Sequence, residues 1–163
     1  MNNDKVLRDQ LLAQLRGGQA HMGFEEAVAD FPMAHINTRP PNVTYTFWHL
    51  IEHIRITQWD ILEFVRNPDH VSPNWPKGYW PDPAQQATPD QWKATVAAFH
   101  KDIKDLEALA TDPATDLFSP IPHGDGQTIL REILLVADHN AYHIGEFGIL
   151  RQVTQTWPAS HSH

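Results

Sequence analysis

TILREILLVADHNAYHIGEFGILRQVT, residues 128–154, is the stretch on which the fold turns. Its apolar residues recur at helical spacing over a wide arc through Ile129, Leu130, Ile133, Leu134, Ala137, Ile144 and Phe147. A helix with so broad an apolar surface lies centrally in a bundle or against another subunit. Within it stand His139 and His143, four residues apart and therefore on one face. Burying imidazoles in hydrocarbon is costly unless both ring nitrogens find partners. Metal coordination by one nitrogen and a hydrogen bond from the other achieves this; two hydrogen-bonded core histidines are the alternative.

Working outward, the same periodicity defines three further helices. Residues 89–111 place Trp92, Val96, Phe99, Ile103 and Leu106 on one stripe behind Thr88, with Pro89 at a favoured first-turn position. Residues 46–67 bury Phe47, Leu50, Ile51, Ile54, Ile61 and Val65 behind a Thr46 cap and stop before Pro68. The first helix, residues 4–16, aligns Leu7, Leu11 and Leu15; Gly17-Gly18 interrupts it, and a short continuation follows over 24–31. No strand pattern competes. The reading is all-α, a four-helix bundle with two long crossover connections, as one domain over residues 1–163.

The connection over residues 68–88 carries Pro68, Pro73, Pro76, Pro81 and Pro83 with Trp75, Tyr79 and Trp80. Loops of that length persist either as functional lids or as extended straps whose rings cover apolar helix surface. On the first reading, Trp75, Tyr79 and Trp80 are candidate substrate-binding residues.

Composition excludes several classes. A net charge of −8 and no run of Lys and Arg argue against a nucleic-acid partner. No apolar stretch reaches the ~20 residues of a membrane span. The polar opening Met1-Asn2-Asn3-Asp4 lacks the form of a signal peptide. The expected setting is cytoplasmic. With no cysteine, the chain has neither a disulfide framework nor a thiolate of its own.

A second His pair, His49 and His53, has the same spacing in the second helix. At ~100° per residue, His53 lies at the edge of the stripe of Leu50, Ile54 and Thr57, and His49 is rotated roughly 40° further away. His49 also falls three residues after Thr46, where a side chain can return a hydrogen bond to the cap. His53 is therefore the ligand candidate, and His49 a capping or supporting group. Three neutral imidazoles, His53, His139 and His143, would hold one divalent cation with a coordination position open, as in reactive rather than closed sites. Zinc and nickel both suit imidazole. A di-iron carboxylate bundle uses Glu-x-x-His; here the order is inverted, His49-x-x-Glu52 and His143-x-x-Glu146. His100 flanks its stripe as a surface residue, His21, His35, His70 and His123 fall in or near connections, and His161 and His163 lie in the terminal tail.

Several stretches together resemble the DinB-like superfamily of four-helix metal proteins. They are Trp48-His49-Leu50-Ile51-Glu52-His53-Ile54-Arg55, Trp59-Asp60-Ile61-Leu62, Asn74-Trp75-Pro76, Gly78-Tyr79-Trp80-Pro81, Pro122-His123-Gly124 and Ala137-Asp138-His139-Asn140-Ala141-Tyr142-His143. The resemblance implies a commonly dimeric bundle, hence a homodimer here. It implies a metal held by one histidine of the second helix and a His-x-x-x-His pair of the fourth, which fall on His53, His139 and His143. His49 stands where such proteins often have Gln, so a four-His site is an alternative.

Some such relatives are thiol-dependent transferases or isomerases. The expected function is accordingly a metal-dependent enzyme that activates a low-molecular-weight thiol, or water, for transfer to a small-molecule electrophile. Any thiol must come from a cosubstrate. Glu146, one turn beyond His143, is a candidate catalytic residue as proton acceptor or orienter, and His49 a second candidate. The alternative is a non-catalytic bundle in which the ion pins the second helix against the fourth.

Overall fold

Three threonines set where three of the four long helices begin. In the computed structural model, which describes residues 3–161, the helices are α1 (Asn3–Arg16), α2 (Phe24–Val28), α3 (Phe47–Arg66), α4 (Pro89–Thr111) and α5 (Ile129–Val153). Thr46, Thr88 and Thr128 precede α3, α4 and α5, and each side chain accepts the main-chain N–H three residues on. At Thr88 the Gln91 side chain returns the bond, and at Thr46 the His49 ring does so. The stops are as local: Asp112, held extended by Pro113, ends α4. Gly17 and Gly18 leave α1 with φ of 64° and 69°, a region closed to most side chains. Among the described residues there is no strand, only an isolated bridge between Pro120 and Thr128. None of the described helices is long and apolar enough to cross a membrane.

The chain is all-helical, a bundle of four long helices with α2 as a fifth, short element. The expected continuation over residues 24–31 is cut to Phe24–Val28, because Asp30 turns left-handed (φ 50°) ahead of Pro32. α1 and α3 each pack against both α4 and α5, and α2 lies on α5.

The interior is divided. An aromatic-rich cluster contains Phe24, Phe31, Phe47, Ile51, Trp92, Phe99 and Phe147, whereas an aliphatic one gathers Leu11, Leu15, Leu62, Leu106, Ile133 and Val136. Between them in sequence on α3 and α5 fall the buried polar residues Gln58 and Asn140. On α5, Leu134 (46% exposed) lies outside the buried arc the periodicity assigned to it, beside Tyr142, Ile149 and Val153 on an open apolar stripe. At the far end of α5, buried Arg151 donates to the carbonyls of Ala27, Ala29 and Thr156 and lies 3.7 Å from the Trp157 ring.

Candidate metal centre

His53 of α3 and His139 and His143 of α5 meet. The Nε2 atom of His53 is 3.2 Å from that of His143 and 3.2 Å from that of His139. One nitrogen from each of the three lies within 4.8 Å of the others. Residues near the site explain why the rings face this way. Nδ1 of His53 donates to the Tyr79 carbonyl at 2.8 Å, so its Nε2 carries a lone pair. Nδ1 of His143 lies 2.7 Å from Oε2 of Glu146; with that carboxylate ionised, Nδ1 is the donor and Nε2 again bears the lone pair. With both Nδ1 atoms protonated, two lone pairs then face one another across 3.2 Å, and that contact is not a hydrogen bond.

Adding a proton is opposed by the surroundings. Burial, then the neighbouring His139 and His53, depresses His143 to about 3; burial, then His53, depresses His139 to about 4; burial lowers His53 as well. A divalent cation is the Lewis acid such a donor set fits. Ligands ~2.0–2.1 Å from a tetrahedral ion stand roughly 3.3 Å apart, and two of the three nitrogen pairs, His53 with His143 and His53 with His139, are already spaced close to that.

The strap over residues 67–88 builds one wall. The Trp80 ring lies parallel to His53, 3.9 Å between centroids, and Tyr45 leans on Trp80 at 5.0 Å. Tyr79 is buried, and its hydroxyl donates to Oδ2 of Asp60 at 2.6 Å, while Nε2 of His70 sits 2.7 Å from Oδ1 of the same carboxylate. Burial, then Asp60, pushes the Tyr79 phenol up to about 12, so it stays a donor. Asp60 thus anchors the strap whose carbonyl orients His53. Trp75 is 74% exposed and meets the edge of Tyr79.

The other candidates are placed as follows. His49 is buried away from the three-histidine group: Nδ1 accepts from the Thr46 main chain and Nε2 reaches the Gln85 carbonyl at 2.9 Å, which engages both ring nitrogens with backbone. Glu146 is half-buried, its carboxyl raised by desolvation, and it accepts from the Tyr45 hydroxyl as well as from His143. Glu52 accepts from Thr95 and Arg55 on another face of α3. His100 pairs with Glu25, and His163 and the opening Met1-Asn2 lie outside the described residues.

Tyr45, Asp60 and His70 are the participants sequence reasoning missed. Tyr45 and His70 left no signal, since both sit in connections without periodicity.

Comparison with curated proteins and with solved structures returns no match. The profile of the DinB superfamily matches residues 16–147, from the end of α1 to past the last of the three histidines. That match covers most of the chain, and the helical bundle agrees with it: the chain belongs to the DinB superfamily.

Proposed function

We propose that the protein binds one divalent metal ion, zinc or nickel, through His53, His139 and His143, and uses it as an enzyme acting on a small-molecule electrophile with a thiol or water as nucleophile. The observation that carries this reading is the pair of lone pairs held 3.2 Å apart by outward Nδ1 hydrogen bonds. When bound, such an ion supplies Lewis-acid activation, lowering the pKa of a thiol or water at neutral pH.

The remaining work falls to the chain. Glu146 orients His143 and, beside Tyr45, is the group that accepts a proton from the nucleophile. Trp80 shields His53 from water and offers substrate an aromatic wall. Tyr79 acts through its carbonyl, and exposed Trp75 is the strap's contact for an incoming molecule. His49, with both nitrogens on backbone, supports α3 rather than entering the chemistry. Because the chain has no cysteine, the thiol is a low-molecular-weight cosubstrate. The apolar stripe of Leu134, Tyr142, Ile149 and Val153 on α5 supports a homodimer, testable by sedimentation.

The test is metal analysis of protein purified without an affinity tag, followed by assay against thiol-plus-electrophile mixtures. About one ion per chain, lost in His53→Ala and His139→Ala, supports the site; no retained or rebound metal sinks it. A second reading rests on the ligands coming from both α3 and α5: the ion is a clamp between them. It prevails if metal removal sharply lowers the melting temperature while no thiol or electrophile perturbs the site.

A further inference from the structure

Nδ1 of His139 and Oδ1 of Asn140 are both sealed from solvent, and neither meets a hydrogen-bond partner within ordinary limits. They belong to adjacent residues of α5, and Asn140 is only 5% exposed. Buried polar atoms are rarely left unpaired, so two orphans on neighbouring side chains call for one explanation.

The donor and acceptor assignments leave little freedom. The Phe99 carbonyl can only accept, so the Gln58 group 2.9 Å from it is the NH2. Gln58 therefore presents its oxygen to Asn140, and the Asn140 group 2.9 Å from that oxygen is in turn its NH2. Asn140 is left with a carbonyl oxygen and nothing to donate to it. If His139 carried its proton on Nε2, its bare Nδ1 and this oxygen would be two buried acceptors without a donor. With the proton on Nδ1, the imidazole N–H supplies the missing donor once either side chain turns to close the contact, and Nε2 is the free lone pair. The Asn140 amide is also the neighbouring side-chain dipole that favours a proton on the His139 ring, against the burial that opposes it.

We propose that Asn140 is a positioning residue for His139: held by Gln58 and the Phe99 carbonyl, it accepts the Nδ1–H and turns Nε2 toward His53 and His143. This rests on the metal-site reading above and completes it. His53 leans on the Tyr79 carbonyl, His143 on Glu146, and His139 on a relay that starts in α4 and passes through α3. The Gln58–Asn140 pair thereby gains a reason for standing between two apolar clusters.

The experiment reads the proton directly. Long-range 1H–15N correlation spectra of the metal-free protein at pH 8 are expected to show His139 protonated on Nδ1; a wild-type ring protonated on Nε2 overturns the proposal with no variant needed. In Asn140→Leu that tautomer preference is lost, and zinc affinity by chelator competition falls about 10–100-fold. Should Asn140→Leu fail to fold because Gln58 loses its donor, the double substitution Gln58→Leu with Asn140→Leu removes both polar partners and is read instead. A folded variant lacking the Asn140 oxygen that keeps both the tautomer and the affinity refutes the relay. A wild-type chain that binds no zinc refutes the metal reading, while the tautomer measurement still decides the role of Asn140.

Discussion

Replacing Glu146 tests how the centre is held. Its Oε2 stands 2.7 Å from Nδ1 of His143, and its other oxygen takes the Tyr45 hydroxyl. A carboxylate there makes a charge-assisted bond, roughly twice as strong as a neutral one, fixes the tautomer and raises the basicity of the ligating nitrogen. Loss of such a partner typically lowers metal affinity about 10–100-fold. In Glu146→Gln the amide oxygen can still take the Nδ1–H, while its NH2 turns to Tyr45, whose hydroxyl can accept. The charge is lost but the tautomer survives, and the loss should be about tenfold, or ~1.4 kcal/mol. Glu146→Ala strands the Nδ1–H as well and should approach about 100-fold, ~2.7 kcal/mol. Tyr45→Phe keeps the carboxylate and should cost about threefold or less. The assay is competition for zinc against a chromophoric chelator at fixed pH on tag-free protein. If both Glu146 variants fold and bind zinc within twofold of wild type, Glu146 does not orient His143 and the tautomer argument fails with it.

Three further outcomes are expected. Folding holds His139 near 4 and His143 near 3, below the ~6.5 of an exposed imidazole. The unfolded chain therefore binds more protons between those values, and the metal-free protein loses stability as pH falls from about 6.5 toward 4; denaturant midpoints compared with those of His143→Leu isolate the effect, and identical pH profiles would contradict it. Arg151→Met leaves the carbonyls of Ala27, Ala29 and Thr156 without their donor and should cost at least about 1–3 kcal/mol in chemical unfolding, with zinc affinity per folded chain unchanged. Asp60→Leu removes the carboxylate that holds both Tyr79 and His70; limited proteolysis should then cut within residues 67–88 faster and zinc affinity should fall, whereas an unchanged cleavage rate would show the strap is held elsewhere.

What the amino-acid order determined was whatever depends on near neighbours. Thr46, Thr88 and Thr128 cap the residues immediately after them, Pro113 and Gly17-Gly18 end helices through their own backbone preferences, and apolar spacing of 3.6 residues marks the buried faces. The bundle, the facing of His139 with His143 and the capping role of His49 were legible for that reason. Tertiary structure decided what surrounds each imidazole: the Tyr79 carbonyl, 26 residues from His53; the Tyr45 hydroxyl, 101 residues from Glu146; and the Gln58 amide, 82 residues from Asn140. It also decided that Leu134 faces outward, although its spacing placed it in the apolar arc. Periodicity records which side of a helix is apolar. Which nitrogen of a buried ring carries the proton depends on acceptors brought up by distant segments, and those exist only once the chain has folded.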